Sequence, residues 1–588
     1  MKKATIIKYI ASVFLLCAAT TGCNKDFLEK KPLNEYEESD VWKDVGLVQA
    51  FVNDLYVQMR PGFNEVMLAS MSDESRFIHD YNTSRVVQGN ASADDLGRID
   101  EFARWDAHYK EIRNCNMFLE KVDAVPFKNE EDRTRMKGEV HFMRAWYYHM
   151  LVRFFGGVPL ITKTFNIKGD EQAILSVERA TFKACVDFIV AECDSAVKQL
   201  PLKYDVAGNK GRATKGAAFA LKSRILLFAG SDLFTHHAPN ALMGYPGGGD
   251  QPALLKAAKD AADSVMHLNG QEMYSLYHPT DSAAENYARI FLDKDNPELI
   301  FVRQYDKALM GTSHDLYNGP NGYHNWGGNV PIENFVSGFQ MRDGSNFSWS
   351  NPVQAKAPYA NRDPRFYATI LYDGAKWKPR PADAVEADPI GIIQTGKYEA
   401  TNGKDSIWGL DTRNSTIENW NGTFSGYYLR KFMDKNLDAQ FFRGSQSWIF
   451  FRYAEVLLNY AEACIWNGEE LEGRRVLNLI RVRAGMPQIT VSGAALKEAL
   501  KYERRYELSF EEHRFFDARR WYDVAPVAFN ENAYGIEVLG SKIKDHPFVY
   551  RVISIQDRKF VKAKNFLLPI PAAEIRKNAK ILQQADFN

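Results

Sequence analysis

The stretch RYAEVLLNYAEACIWNG (residues 452–468) constrains the fold of this chain more than any other. Ala454, Leu457, Leu458, Ala461 and Ile465 recur at the spacing of one helix face, while Glu455, Asn459 and Glu462 fall on the opposite one. A helix with such a stripe draws most of its stability from whatever covers the apolar side. Gly468 supplies a stop, and LEGRRVLNLIRVRAG starts a second amphipathic helix a few residues later, ended by Gly485 and Pro487. Two such helices with a short connection form an antiparallel hairpin. Small residues seven apart, Ala454 and Ala461, let the partners approach closely.

The same helix–turn–helix style recurs at 101–124 with 130–155 and at 176–199 with 214–230, and again around 251–268 and 494–523. No strict repeat of sequence accompanies it, so the pairs are tetratricopeptide-like in architecture only. Between about 271 and 445 the character changes to Gly, Pro, Asn and aromatic residues, with short strand-like pieces such as ELIFVRQY. No Pro/Ser-rich linker or charge block divides the chain. The reading is a mainly α, helical-repeat scaffold over about 40–270 and 446–588, carrying a long irregular, loop-rich insertion at about 271–445 within a single domain spanning 23–588. Long loops on rigid scaffolds are where function concentrates.

Within the scaffold, EVHFMRAWYYHMLVRFF (139–155) is apolar nearly all round and ends in GGVPL. Arg144 and His149 on such a helix read as satisfied interior groups, and Trp105 and Tyr109 likewise read as core.

The N-terminus has a basic start, an apolar run from about Ala4 to Ala19 and the small residues Thr20, Thr21 and Gly22 before Cys23. That order is a secretory signal over 1–22 and resembles a lipobox, with Cys23 acylated as the first mature residue. Removing 1–22 takes Lys2, Lys3 and Lys8 and no acid, leaving 71 basic against 74 acidic side chains. No basic field exists to hold nucleic acid. No later stretch reaches the ~20 apolar residues of a spanning helix, so the membrane is reached through the lipid on Cys23. Cys115, Cys185, Cys193 and Cys464 read as buried apolar residues. Metal-ligand spacings, Walker loops, dinucleotide fingerprints and nucleophile elbows are absent, so no cofactor and no metal are expected.

Several stretches together resemble the SusD/RagB family of outer-membrane nutrient-binding lipoproteins: RAWYYHMLVRFFGGVPL, ATKGAAFALKSRILLFAGS, FRYAEVLLNYAEA, YERRYELSFEEHRFFDARRW and KNFLLPIPAAEIRKNAKILQQ. They lie in the family's order between residues 144 and 584. Two departures are His513, where glycine is common, and an ending that lacks the usual Asn-Pro. The resemblance implies four tetratricopeptide-like pairs under a variable loop region, outer-membrane localisation facing the exterior, and no catalysis. It also implies delivery of a glycan to a SusC-like TonB-dependent transporter. The competing readings are a surface glycoside hydrolase, a peptide- or other nutrient-binding protein, and a helical-repeat protein that only scaffolds.

Sugars present apolar C–H faces that pack on flat rings and hydroxyls that need polar partners. The window 311–349 offers both, with seven glycines and seven aromatics. Its group GPNGYHNWGGN places Tyr323, His324, Asn325 and Trp326 between turn formers. A second candidate, SDESRFIHDYNTSRVVQGNAS, offers Asp73, Tyr81, Asn82 and Arg85. The charged segment YERRYELSFEEHRFFDARRW lines up Glu503, Glu507 and Glu511 along one rod rather than across a cleft. That favours helix-joining ion pairs over a glycosidase dyad.

Overall fold

The computed structural model describes residues 38–588 apart from 167, 310, 401, 438–442, 542–547, 585, 586 and 588. The expectations for the signal and for Cys23 lie outside the described residues. An initial helix, α1 (Val45–Val57), leads into a stack built from α2 (Trp105–Lys121), α3 (Glu130–Phe155), α4 (Phe182–Gln199), α5 (Lys215–Ala229) and α6 (Gln251–Met266). The stack continues through α7 (Tyr453–Trp466), α8 (Glu470–Arg483) and α9 (Gly493–Glu507), with α10 (Arg514–Arg520) after them. From α2 to α9 each helix packs on the next, giving the pairs α2–α3, α4–α5, α6–α7 and α8–α9. No described helix is long and apolar enough to cross a membrane.

The starts of α3 to α6 are set locally. Asn129, Thr181, Thr214 and Asp250 each accept a hydrogen bond from a first-turn backbone N–H, at 3.0, 3.1, 3.3 and 3.1 Å. The end of α3 is equally specific. Gly156 has φ 76°, and a Cβ there would lie 2.5 Å from the Leu242 carbonyl oxygen. A Cβ on Gly157 would lie 2.3 Å from the Ala180 carbonyl oxygen, so the chain leaves the helix against two backbones where only glycine fits. On the helix itself, Arg144 makes a bidentate pair with Glu192 of α4 at 2.7 Å and donates to Asn116 of α2 at 2.8 Å. His149 is buried, and desolvation holds its imidazole well below its ordinary value, hence neutral.

Sequence periodicity left the partner of 251–268 open; the structure gives it α7, on the far side of the insertion. The pair is antiparallel, because Asn467 just beyond α7 donates to the Pro252 carbonyl at the start of α6, 3.1 Å away. The insertion therefore leaves and rejoins the stack at one end. The 446–588 segment also holds more than helices. Among the described residues, eight strands of three or more residues, numbered in chain order, carry the loop-rich part: β1 (Ser75–Phe77), β2 (Leu299–Arg303), β3 (Asn329–Pro331), β4 (Lys397–Glu399), β5 (Ser406–Trp408), β6 (Trp448–Arg452), β7 (Ala533–Ser541) and β8 (Val549–Gln556). A four-stranded sheet runs β8-β7-β4-β5, so the C-terminal hairpin joins the insertion rather than the stack. The expected strand in ELIFVRQY is β2, paired antiparallel with β6.

A buried ionic network ties the two parts together. Glu507 accepts from Arg452 at 2.7 Å and Arg365 at 3.0 Å, and pairs with Arg483. Arg452 also reaches Glu298 and Glu511, both at 2.7 Å. Glu503 takes Arg365 and Arg481, Asp363 takes Arg365, and Glu511 takes Lys431. The five cations and five carboxylates balance, which is how so many charges stay inside.

A candidate ligand-binding face

Strands β1 and β3 pair antiparallel, Ser75 with Pro331, Arg76 with Val330 and Phe77 with Asn329. The ladder is extended by Ile78 N–H donating to the Gly328 carbonyl at 2.9 Å. The two candidate stretches, distant in sequence, thus run side by side. A third segment closes on them. The Asn321 amide donates to the carbonyls of Thr412 and Ile417 at 3.1 and 2.7 Å, and His79 Nε2 lies 3.1 Å from Asn421 Oδ1. Gly327 has φ 57°, and a Cβ on it would sit 2.3 Å from the Asn421 carbonyl oxygen. Trp326 is therefore held directly beside the Trp420–Asn421 turn.

Three rings are left uncovered here: Trp420 at 60% exposure, Tyr81 at 47% and Trp326 at 37%. Two of them have a brace behind them. Trp326 leans on Tyr317 at 5.4 Å, and Tyr81 stacks on His79 at 5.8 Å and 25°. The backbone under them is strained. Asp80, Tyr81 and Asn82 all have positive φ (66°, 44° and 68°), as do His324 (58°) and Glu418 (39°). Left-handed backbone costs a non-glycine residue about 1–2 kcal/mol, and such residues gather where a surface is held for use. Asp80 secures its turn by accepting from Ser84 N–H and Oγ–H at 2.7 and 2.9 Å.

Beside the rings lies a polar cavity of about 510 Å³ whose walls include Tyr323, His324, Lys378, Arg380, Asp383 and Lys435. His324 bridges two loops, with Nδ1 3.2 Å from Glu418 Oε1 and Nε2 3.0 Å from Asp383 Oδ2. Partial burial lowers its imidazole value, but the hydrogen bonds and charges of Asp383 and Glu418 outweigh this and hold it above its ordinary value. Arg380, at the back, is saturated by Asp411 (2.7 Å twice) and Asp388 (2.8 Å).

The expected site residues divide. Tyr81, Trp326 and His324 reach the face or its cavity, and Asn82 is exposed at the strained turn. Arg85 is half-buried and paired with Asp95 at 2.9 Å. Tyr323 is 4% exposed, its hydroxyl donating to the Lys378 carbonyl at 2.9 Å, and offers the cavity only part of its ring. Asp73 is a correction. It is 4% exposed and clasped by Arg514 (2.7 and 2.8 Å) and Arg505 (2.8 Å). Burial would raise its carboxyl, yet these guanidinium groups hold it well below the usual carboxylate range. Sequence reasoning missed Trp420, Glu418, Asp383 and His79. For Trp420 a signal existed: ENWNGT (418–423) repeats the tryptophan-between-turn-formers pattern of HNWGGN.

Two family models match this chain. One, described as SusD family, covers residues 297–587; the other, described as starch-binding associating with outer membrane, covers 26–227. The chain belongs to the SusD family. Among its relatives, SusD-like protein P25 of Formosa agariphila is 24% identical over 553 residues, covering 89% of this chain and 90% of that protein. A SusD-like protein from Bacteroides fragilis of known crystal structure aligns with TM-score 0.74 at 27% identity, over 95% of this chain and all of that one. A SusD-like carbohydrate-binding protein of the same species aligns with TM-score 0.72 at 23% identity, over 92% of this chain and all of that one. The four stacked pairs are thus the SusD scaffold.

Proposed function

We propose that this SusD-family protein binds a glycan on the face formed by Tyr81, Trp326 and Trp420 and the adjoining His324 cavity, without catalysis. It then hands the glycan to a SusC-like TonB-dependent transporter, from an outer-membrane position secured by a lipid on Cys23. The observation that carries the glycan reading is the set of three solvent-facing rings, two of them braced, set among strained backbone beside a cavity with charged walls. Flat rings take the C–H faces of pyranoses, and the cavity's Asp383 carboxylate, lysine ammonium groups and imidazole suit hydroxyl groups. The name of the carbohydrate-binding relative from B. fragilis agrees with it. Delivery to the transporter rests on family membership.

The hydrolase reading lacks its acid. A glycosidase needs a carboxylic acid held protonated at the cleft. The carboxyls that burial pushes up furthest are Glu74, to about 8, Glu333 and Glu512, to about 7, and Asp315 and Asp373, to about 6, and none of them lines the His324 cavity. Glu333 is occupied by Trp349 Nε1–H at 2.7 Å and the Tyr427 hydroxyl at 2.6 Å.

The test is a glycan array followed by calorimetry on the best ligand. Trp326→Ala and Trp420→Ala should each weaken binding by about 1–3 kcal/mol, roughly five- to a hundredfold, with parental melting temperatures. Unchanged affinity in both variants would move the site elsewhere, and turnover of the glycan would revive the hydrolase.

A further inference from the structure

A second concavity, of about 440 Å³, opens on the flank of the stack, and its lining is far more apolar. It lies between α2, the segment 159–165 beyond the glycine stop, residues 174–177 and the C-terminal residues 574–581. Trp105, Tyr109, Ile112, Pro159 and Ile581 form much of the floor, with Phe165 and Leu175 among the walls. Leu175 is 56% exposed, a large apolar side chain left facing water at the mouth.

The cavity is preformed. Arg104 at φ 42° breaks the chain just before α2, and Trp105 then packs edge-on against Phe155 at 5.0 Å and beside Tyr109 at 5.1 Å. Behind it, the buried Arg179 donates to the carbonyls of Gly157, Phe155 and Leu582 at 2.7, 3.0 and 2.8 Å, fixing the glycine turn to the C-terminal segment.

The polar atoms of its floor and inner wall are already in use. The Tyr109 hydroxyl donates to the Pro159 carbonyl at 2.9 Å, and the Asn578 amide to the Val177 carbonyl at 2.8 Å. A hydroxyl-rich sugar would lose its water without finding partners there. A hydrocarbon chain would not.

The rim adds a sign. Arg113 and Lys163 line one side, both exposed, and neither has a carboxylate within ion-pair distance among the described residues. The acids lie with Lys577, which bonds Glu574 at 2.6 Å and feels the charge of Asp106. An apolar pocket of small-molecule size with cations along one lip suits an amphiphile with an anionic head. We propose that this cavity binds a medium-chain fatty acid, its alkyl chain on the Trp105–Ile112 floor and its carboxylate toward Arg113 and Lys163.

The experiment titrates the full mature protein with octanoic, decanoic and dodecanoic acids by calorimetry, below their micelle concentrations. One saturable site is expected, with affinity rising about fourfold per methylene. Arg113→Glu with Lys163→Glu should weaken dodecanoic acid about tenfold and leave dodecanol unaffected. Leu175→Glu, at an exposed position, should weaken both and melt like the parent. Glycan affinity should not change in any variant, which separates this site from the aromatic face. Absence of saturable binding, a flat chain-length series, equal affinity for acid and alcohol, or association only with anionic vesicles would each overturn the proposal.

Discussion

His324 joins two loops through one ring, and its charge decides how firmly. Its folded value lies above the ordinary imidazole value near 6.5. The two carboxylate contacts therefore contribute fully below about 6.5 and are lost as pH rises through the raised folded value. Glycan affinity, followed by calorimetry, should fall as pH climbs from about 6 to about 9. His324→Gln should flatten that profile; a steep profile surviving in the variant would place the titrating group elsewhere. At this scale the sequence was legible where a residue's neighbours are local. Trp326 stands uncovered because two glycines follow it and offer it no side chain to pack on, leaving it leaning on Tyr317. Asp73 was opaque because its partners, Arg505 and Arg514, lie more than four hundred positions away. Nothing local distinguishes a solvated aspartate from a clasped one.

Among the elements, α9 and β6 carry the ionic junction. Glu507 is exposed to three guanidinium groups, and although burial raises its carboxyl, Arg483, Arg452 and Arg365 hold it well below the usual range. Its contribution is present above the ordinary carboxylate value of about 4.3 and is lost as pH falls through the depressed folded value. Glu507→Gln should cost about 3–5 kcal/mol, because it leaves buried cations short of a partner. A clear drop in melting temperature is expected at neutral pH, with glycan affinity retained below that temperature. Unchanged melting would remove the junction's structural role. The rod of glutamates was readable as ion pairing from its one-sided spacing. Helix starts were readable too, from caps such as Thr181 and Asp250. The partner of α6 was not, because an apolar stripe says that it must be covered but not by which later helix. Strands β7 and β8 pair mostly with each other and still escaped; β7 also pairs with β4, a three-residue strand without local signal.

For the whole molecule, location is the open expectation. Cys23→Ser should release the protein from the outer-membrane fraction into the soluble one; a membrane-bound variant would end the lipid-tether reading. The scaffold was visible as recurrent amphipathic pairs, since each pair is a local unit. The loop-rich part was visible as a change in composition and one short strand, β2, because its architecture depends on contacts such as β1 with β3 that no short window contains.

The nesting of the loop-rich part between α6 and α7 also governs the order of synthesis. A ribosome delivers α6 soon after α5, its first neighbour, yet α7, the other helix that covers it, emerges only after the entire ligand-binding part has been translated. Through that interval the nascent chain carries an unburied seam, open to non-native pairing. Closing α6 on α7 then happens late and over a long span, a slow non-local step. A holding chaperone that shields apolar helices would act on this protein before its last pairs exist.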